Sequence, residues 1–370
     1  MAPHRVSARE DSEVEFEIGD GRLSGALAIA LAALSLLAVL CFRFPELLTT
    51  PELRAVYPLG LVRAVLFVAL LLALAFGGLA VLLGKRGAGL AGLALSGVAI
   101  ALGGASVEAR SVTKSAHLGV DWFVLDLLVL ALLFVPLERA FARVREQRIL
   151  RGGWRTDLAH FFVSHLLVGA LALLTIAPAT LLLGRMLSPR LQGAVDALPL
   201  ALQVALAIVC ADLVQYATHR AFHAIPALWR FHAIHHSARE MDWLAGSRLH
   251  LVDVVLTRAA AFAPLFFLGI SERALAIYLV FVSFQAVFLH ANLRFRFGPL
   301  RWLIATPEFH HWHHAESPVD KNFAIHIPLI DRIFGTAWLP GRFPQRYGIA
   351  ANPVPDGWLR QLTWPFSRQH

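Results

Sequence analysis

The chain of 370 residues is 57% hydrophobic and only 16% charged, with a mean hydropathy of +0.62, which excludes an ordinary soluble globular protein. Its formal charge of +8 rests on arginine, because Lys85, Lys114 and Lys321 are its only lysines. In so apolar a chain these arginines belong beside anionic headgroups, and nucleic acid is excluded as a partner.

Residues 1–22 are polar and carry Asp11, Glu13, Glu15, Glu17 and Asp20. That acidity is unlike the short basic lead of a cleavable signal and reads as a cytoplasmic tail. Apolar runs long enough for the ~20 residues that a spanning helix needs then follow at 24–42, 59–83, 88–107, 119–137, 158–183 and 197–218. A further pair, 251–270 and 274–290, is broken by Ser271, Glu272 and Arg273 and is either two spans or a hairpin dipping into the bilayer. Cys41 and Cys210 lie in separate apolar runs, so neither a disulfide framework nor a thiolate metal site is expected. Residues 87–92 read GAGLAG, a formal match to a dinucleotide fingerprint. No strand precedes the run, and it opens an apolar span. Small residues that let membrane helices approach closely account for it better.

Orientation follows from the basic links. Arg139, Arg143, Arg145, Arg148, Arg151 and Arg155 crowd the link after the fourth span, and Lys85 and Arg86 follow the second. The positive-inside rule makes both links cytoplasmic. Counting from there, the sixth span ends inside with His219 at its tip, and the 251–290 pair starts and finishes inside. The expected fold is all-α: a polytopic membrane helical bundle with a histidine-rich helical metal-binding cap on its cytoplasmic face. Its expected organisation is a polar tail (1–22), a four-span membrane region (23–150), a histidine-bearing domain (151–348) and a C-terminal tail (349–370).

Eleven of the seventeen histidines lie between His219 and His314. Most fall in three runs: His219 and His223; His232, His235 and His236; and His310, His311, His313 and His314. Residues three or four apart on a helix share a face, so each run aims two or three imidazoles at one point. Imidazole suits iron, zinc and copper alike, and so many nitrogens point to two ions held close together. His310, His313 and His314 repeat the spacing of the second run, which leaves His311 off the shared face and outside the ligand set. His290, at the end of the 274–290 run, is a candidate additional ligand. His250, with Asp253 three residues on, is a candidate ligand or a group that supports one. Asp212 shares a stripe with His219 and His223 and is expected either to accept a ring N–H from a ligand or to bond between helices. His160 and His165 read as ordinary interfacial residues.

These motifs, with their context, resemble the sterol desaturase/fatty acid hydroxylase superfamily of membrane non-heme di-iron enzymes. The resemblance runs from Trp154 to Gly348 and is carried by DLVQYATHRAFH, LWRFHAIHHS, SRLH, FLHANL, TPEFHHWHH and NFAIHIPLIDRIFGT. It implies His219, His223, His232, His235, His236, His310, His313 and His314 as metal ligands, with His290 as a ninth. It further implies that Asn322 and Asp331 fix the third region. The centre would hold two irons, although zinc can occupy such sites in purified relatives, and O2 would be the co-substrate. Beyond the metal centre, no side chain acts as a catalytic group.

The function expected from this is O2-dependent hydroxylation or desaturation of a membrane lipid: a sterol, a fatty acyl chain, or a related isoprenoid or ether lipid. The sequence carries no flavin, nicotinamide or haem signature, so electrons would come from a separate ferredoxin, cytochrome or reductase. Arginine over lysine and abundant alanine point to a bacterial inner membrane. The rival is a metal-binding membrane protein or transporter without oxygenase activity. Transport sites usually lie along a path near the bilayer midplane, whereas these histidines gather at one face.

Overall fold

The structure is a computed structural model that describes residues 20–110, 118–166, 180–181, 183–351 and 353–367. Residues 1–19 of the expected polar tail and 167–179 of the expected fifth span lie outside the described residues, as does the His165 side chain. The chain divides into two compact units, Met1–Ser115 and Ala116–His370. Helices dominate, and the described residues contain no strand, only the isolated bridges Ala142 to Leu293 and Ala315 to Tyr347.

Three apolar helices build the first unit: α1 (Arg22–Arg43), α2 (Leu59–Leu82) and α3 (Arg86–Ala101). They meet through small residues. A Cβ on Gly89 would lie 2.6 Å from the Gly77 carbonyl oxygen, and one on Gly92 would lie 2.7 Å from the Ala28 Cβ. The GAGLAG run is thus a close helix crossing.

In the second unit, α4 (Val120–Ala140) packs on α5 (Trp154–Leu166), with the Phe123 and Phe161 rings 5.6 Å apart. The fourth apolar run therefore packs with the histidine-bearing segment, although its sequence grouped it with the N-terminal spans. Glu138 near its end accepts backbone N–H groups from Trp243 and Asn292, both at 2.8 Å. Four helices carry the histidines: α6 (Leu200–Ala224), α7 (Pro226–His236), α9 (Glu272–His290) and α10 (Pro307–His313). Between them, α8 (Leu251–Leu268) packs against α6, and the short α11 (Leu329–Ile333) follows α10. The 251–290 pair resolves into two long helices, broken by a left-handed Gly269 and restarted by Ser271, whose hydroxyl accepts from the Ala274 N–H.

Among the described residues, seven helices are long and apolar enough to cross a membrane: α1, α2, the stretch Arg86–Ser106, α4, α6, α8 and α9. Large apolar residues along them point outward, such as Leu61, Val65, Leu132 and Val280, each at least 60% exposed. An aqueous surface would not tolerate so many, whereas hydrocarbon does, and the chain is a multi-pass membrane protein. The final short helix, α12 (Trp358–Thr363), is packed rather than free, because Gln361 Oε1 bonds His160 Nε2 at 2.8 Å.

Candidate metal centre

All nine histidines singled out as ligands converge, in two groups. His219, His223, His232, His236 and His313 form one, and His235, His290, His310 and His314 form the other. Within each group, one ring nitrogen per residue lies within 4.8 Å of every other. The groups adjoin, since the His236 and His314 rings stack at 4.5 Å and the His310 and His313 rings stack at 5.2 Å.

Helix geometry explains the division. Successive residues turn by about 100°, so i and i+4 nearly eclipse while i+3 lies about 100° from i+4. In α7 the eclipsed pair His232 and His236 enters the five-histidine group, and His235 enters the other. Around α10 the roles exchange: His310 and His314 enter the four-histidine group, and His313 enters the five. The second and third runs thus each serve both groups, whereas His219 and His223 both enter the five.

Hydrogen bonds fix the rings. His219 Nδ1 donates to the Phe323 carbonyl at 2.8 Å, and His313 Nδ1 to that of Lys321 at 2.8 Å. His232 Nδ1 lies 2.7 Å from Asp253 Oδ2, and His223 Nδ1 lies 3.1 Å from Asp320 Oδ1. In the other group, His290 Nδ1 donates to Ala286 O at 2.7 Å and His235 Nδ1 to Arg248 O at 3.2 Å. A carbonyl or carboxylate only accepts, so each of these rings carries its proton on Nδ1 and presents a bare Nε2 inward.

The inward nitrogens then face one another. His219 and His232 Nε2 are 3.0 Å apart, His223 and His236 Nε2 are 3.1 Å apart, and His290 and His235 Nε2 are 3.3 Å apart. Two lone pairs at that separation repel unless a cation lies among them. Protons are disfavoured in that role. Burial first, and neighbouring imidazoles second, hold His232, His235, His236, His310, His313 and His314 well below the usual histidine range. Metal ions fit this all-nitrogen donor set.

Supports for the rings come from far along the chain. Arg248, whose carbonyl holds His235, is pinned through its guanidinium to Asp157 at 2.5 Å, and Arg151 bridges Asp157 and Asp242 at 2.6 and 2.8 Å, all four side chains being buried. Gly246 lets this segment reach α9, since a Cβ there would meet His290 Nδ1 at 2.7 Å. Asn322 adopts a left-handed φ of 60° and donates to Phe309 O and Trp338 O at 2.7 and 2.8 Å. Asp331 accepts the N–H groups of Phe323 and Ala324 at 2.7 Å and the Thr336 hydroxyl at 2.6 Å. Both residues tie down the segment whose carbonyls hold His219 and His313.

Two expectations need correction. Asp212 touches no histidine ring: its carboxylate accepts the backbone N–H groups of Ile325, His326 and Ile327 at 2.9, 3.1 and 2.7 Å. A carboxylate buried in an apolar helix takes the nearest unpaired donors, and the returning segment offers three. His250 belongs to neither group. It caps α8 by accepting the Val252 N–H on Nδ1 at 3.1 Å, while Nε2 donates to Leu362 O at 3.1 Å. The buried carboxylate that does meet a ring is Asp253, and its signal was an acid inside an apolar run, which demands a partner.

His311 lies outside both groups, fully buried, with Nε2 donating to His290 O at 3.2 Å and Nδ1 accepting from the Tyr347 hydroxyl at 2.7 Å. His311→Ala is expected to leave metal content unchanged while lowering stability by about 1–3 kcal/mol, the cost of leaving buried partners unpaired. Metal analysis and thermal unfolding of the purified variant check both halves, and loss of an ion would refute the first.

A cleft of about 310 Å³ opens onto the five-histidine group, walled by His223, Trp229, His236, His313, Asp320 and Ile349. None of the four-histidine group lines it.

The centre is a polyhistidine cluster seated where two spanning helices end. Residues 204–336 match the fatty acid hydroxylase family model. Among curated proteins, the chain is 33% identical to an ornithine lipid hydroxylase of Rhizobium tropici over 177 residues, covering 47% of this chain and 53% of the relative. It is 28% identical to the alkylglycerol monooxygenase of Xenopus tropicalis over 140 residues, 37% of this chain and 31% of that protein. A very-long-chain aldehyde decarbonylase of Oryza sativa is 34% identical over 153 residues, 38% of this chain and 24% of the relative. The matched segment thus spans about half the length of the first of these relatives and less of the others. No solved structure matches the chain. The histidine-bearing segment is thus similar to the fatty acid hydroxylase family and to lipid-modifying relatives.

Proposed function

We propose that the nine histidines hold two iron ions, and that the protein is an O2-dependent oxidoreductase that hydroxylates or desaturates a membrane lipid. The observation that carries the reading is the set of inward Nε2 atoms facing one another at 3.0 to 3.3 Å inside a buried shell. The names of the relatives, a lipid hydroxylase and an ether-lipid monooxygenase, support a lipid substrate.

His219, His223, His232, His236 and His313 would hold one ion, and His235, His290, His310 and His314 the other. A bound iron pair supplies the redox capacity to activate O2 against an unactivated C–H bond. The chain's own residues do the rest. Phe323 O, Lys321 O, Ala286 O and Arg248 O keep the protons of His219, His313, His290 and His235 on Nδ1, so that the Nε2 of each is a donor to metal. His219 and His223 sit in the last turns of α6, and His290 ends α9. The centre therefore lies at the ends of two membrane helices, within reach of lipid chains. Burial of the four-histidine group keeps bulk water away from it.

Electrons would come from a separate carrier, a ferredoxin, cytochrome or reductase. The arginine-rich links support a centre on the cytoplasmic face, and the inner membrane of a bacterium would be the matching location.

The test is a comparison of lipid extracts, by mass spectrometry, from cells with and without the protein. One lipid class is expected to gain one oxygen or to lose two hydrogens, and the change should vanish without O2 and in His310→Ala. An unchanged lipidome with verified expression, or a product formed without O2, would refute the oxygenase reading.

A further inference from the structure

The two groups differ in what holds their rings. In the five-histidine group His232 is held by a carboxylate, Asp253, at 2.7 Å, with both side chains at most 4% exposed. A second carboxylate, Asp320, meets His223 at 3.1 Å but is itself 63% exposed. In the four-histidine group no carboxylate among the described residues meets a ring. His235 and His290 are held by neutral backbone carbonyls, and Nδ1 of His310 and of His314 has no hydrogen-bond partner.

We propose that Asp253 is a positioning residue that makes the five-histidine site the tighter-binding of the two, an inference that rests on the two-ion reading. A carboxylate on the far N–H of an imidazole fixes its tautomer and raises the basicity of the nitrogen facing the metal. A neutral carbonyl fixes the tautomer but adds no charge, and an unpartnered N–H does neither. Asp253 lies in the first turn of α8, where the helix N-terminus favours an anion. With a cation on His232 Nε2, the buried carboxylate also gains the compensating charge that its apolar surroundings withhold. Asp320 acts in the same direction on His223, but more weakly, because water screens it. The His250 cap that starts α8 sets this register.

The experiment uses the full chain in detergent, stripped of metal and titrated anaerobically with Co(II) as the probe, with bound metal measured by equilibrium dialysis. The parent is expected to take up two ions in two separable steps. The first should carry the weaker visible absorption of a five-coordinate ion, and the second the stronger absorption of a four-coordinate one. Asp253→Asn keeps an oxygen at the same place and removes only the charge. It should weaken the first step by about 10- to 100-fold, the usual effect of losing an outer partner, and leave the second unmoved. Asp253→Glu should restore part of the loss. An unmoved first step, or equal weakening of both steps as a merely structural role would give, overturns the proposal. If Asp253→Asn does not fold, Asp320→Asn decides: a smaller weakening confined to the first step sustains the inference, and any other pattern refutes it. A parent that takes up fewer than two ions would instead overturn the two-ion reading.

Discussion

His235→Ala is expected to remove the ion of the four-histidine group and to abolish activity. His235 Nε2 is 3.3 Å from His290 Nε2, and its ring is 4.5 Å from that of His314. Its loss leaves three nitrogens, two of them on rings whose Nδ1 has no partner to fix it. The effect should exceed the roughly 10- to 100-fold that removal of an outer partner brings, because a donor to the ion is itself lost. Metal analysis of the purified variant should find one ion or fewer per chain, and lipid conversion should fall to background. Retention of both ions would remove His235 from the ligand set.

Asp212→Ala should be the most destabilising single change outside the histidines. Three backbone N–H groups, of Ile325, His326 and Ile327, lose their acceptor at once. Each buried donor left unpaired costs about 1–3 kcal/mol, so a loss on the order of 3 kcal/mol or more is expected. The damage should spread to the metal, because the same returning segment presents Phe323 O to His219 and Lys321 O to His313. Thermal unfolding with and without bound metal checks both consequences. A variant that melts like the parent would show that the segment is held by Asn322 and Asp331 alone.

Much of this centre was legible in the sequence. Histidine spacing gathered the three runs, because helical periodicity ties position in the chain to position on a face, whereas the solitary His290 was a candidate only from its place at the end of an apolar run and from the family resemblance. What spacing could not reveal was their sorting. In a run with i, i+3 and i+4 occupied, the first residue can share an ion with either of the others. The helix opposite decides, and α7 and α10 decide for each other. Asp212 illustrates a second limit. Its stripe with His219 and His223 is real in the sense that Asp212, Tyr216 and His219 are all buried on α6. The segment that folds back over that stripe comes more than a hundred residues later, and no local pattern announces it. His250 illustrates a third, since a histidine just before a helix is equally suited to capping and to ligation. The packing of Leu362 O against it settles that choice in favour of the cap. Likewise, α4 reads as one more apolar span until Glu138 is seen holding the backbone of Trp243 and Asn292.

The exchanged use of the second and third histidine runs sets a length as well as a ligand list. On α7 and at the end of α10, the step between adjacent side chains, His235 to His236 and His313 to His314, carries the chain from one histidine group to the other. The interval between the two groups is thereby gauged twice, by the same short step at two separate helices. Loops may lengthen or change composition around such a centre without stretching it. Inserting one residue inside either run would turn a ligand by about 100° and break the gauge.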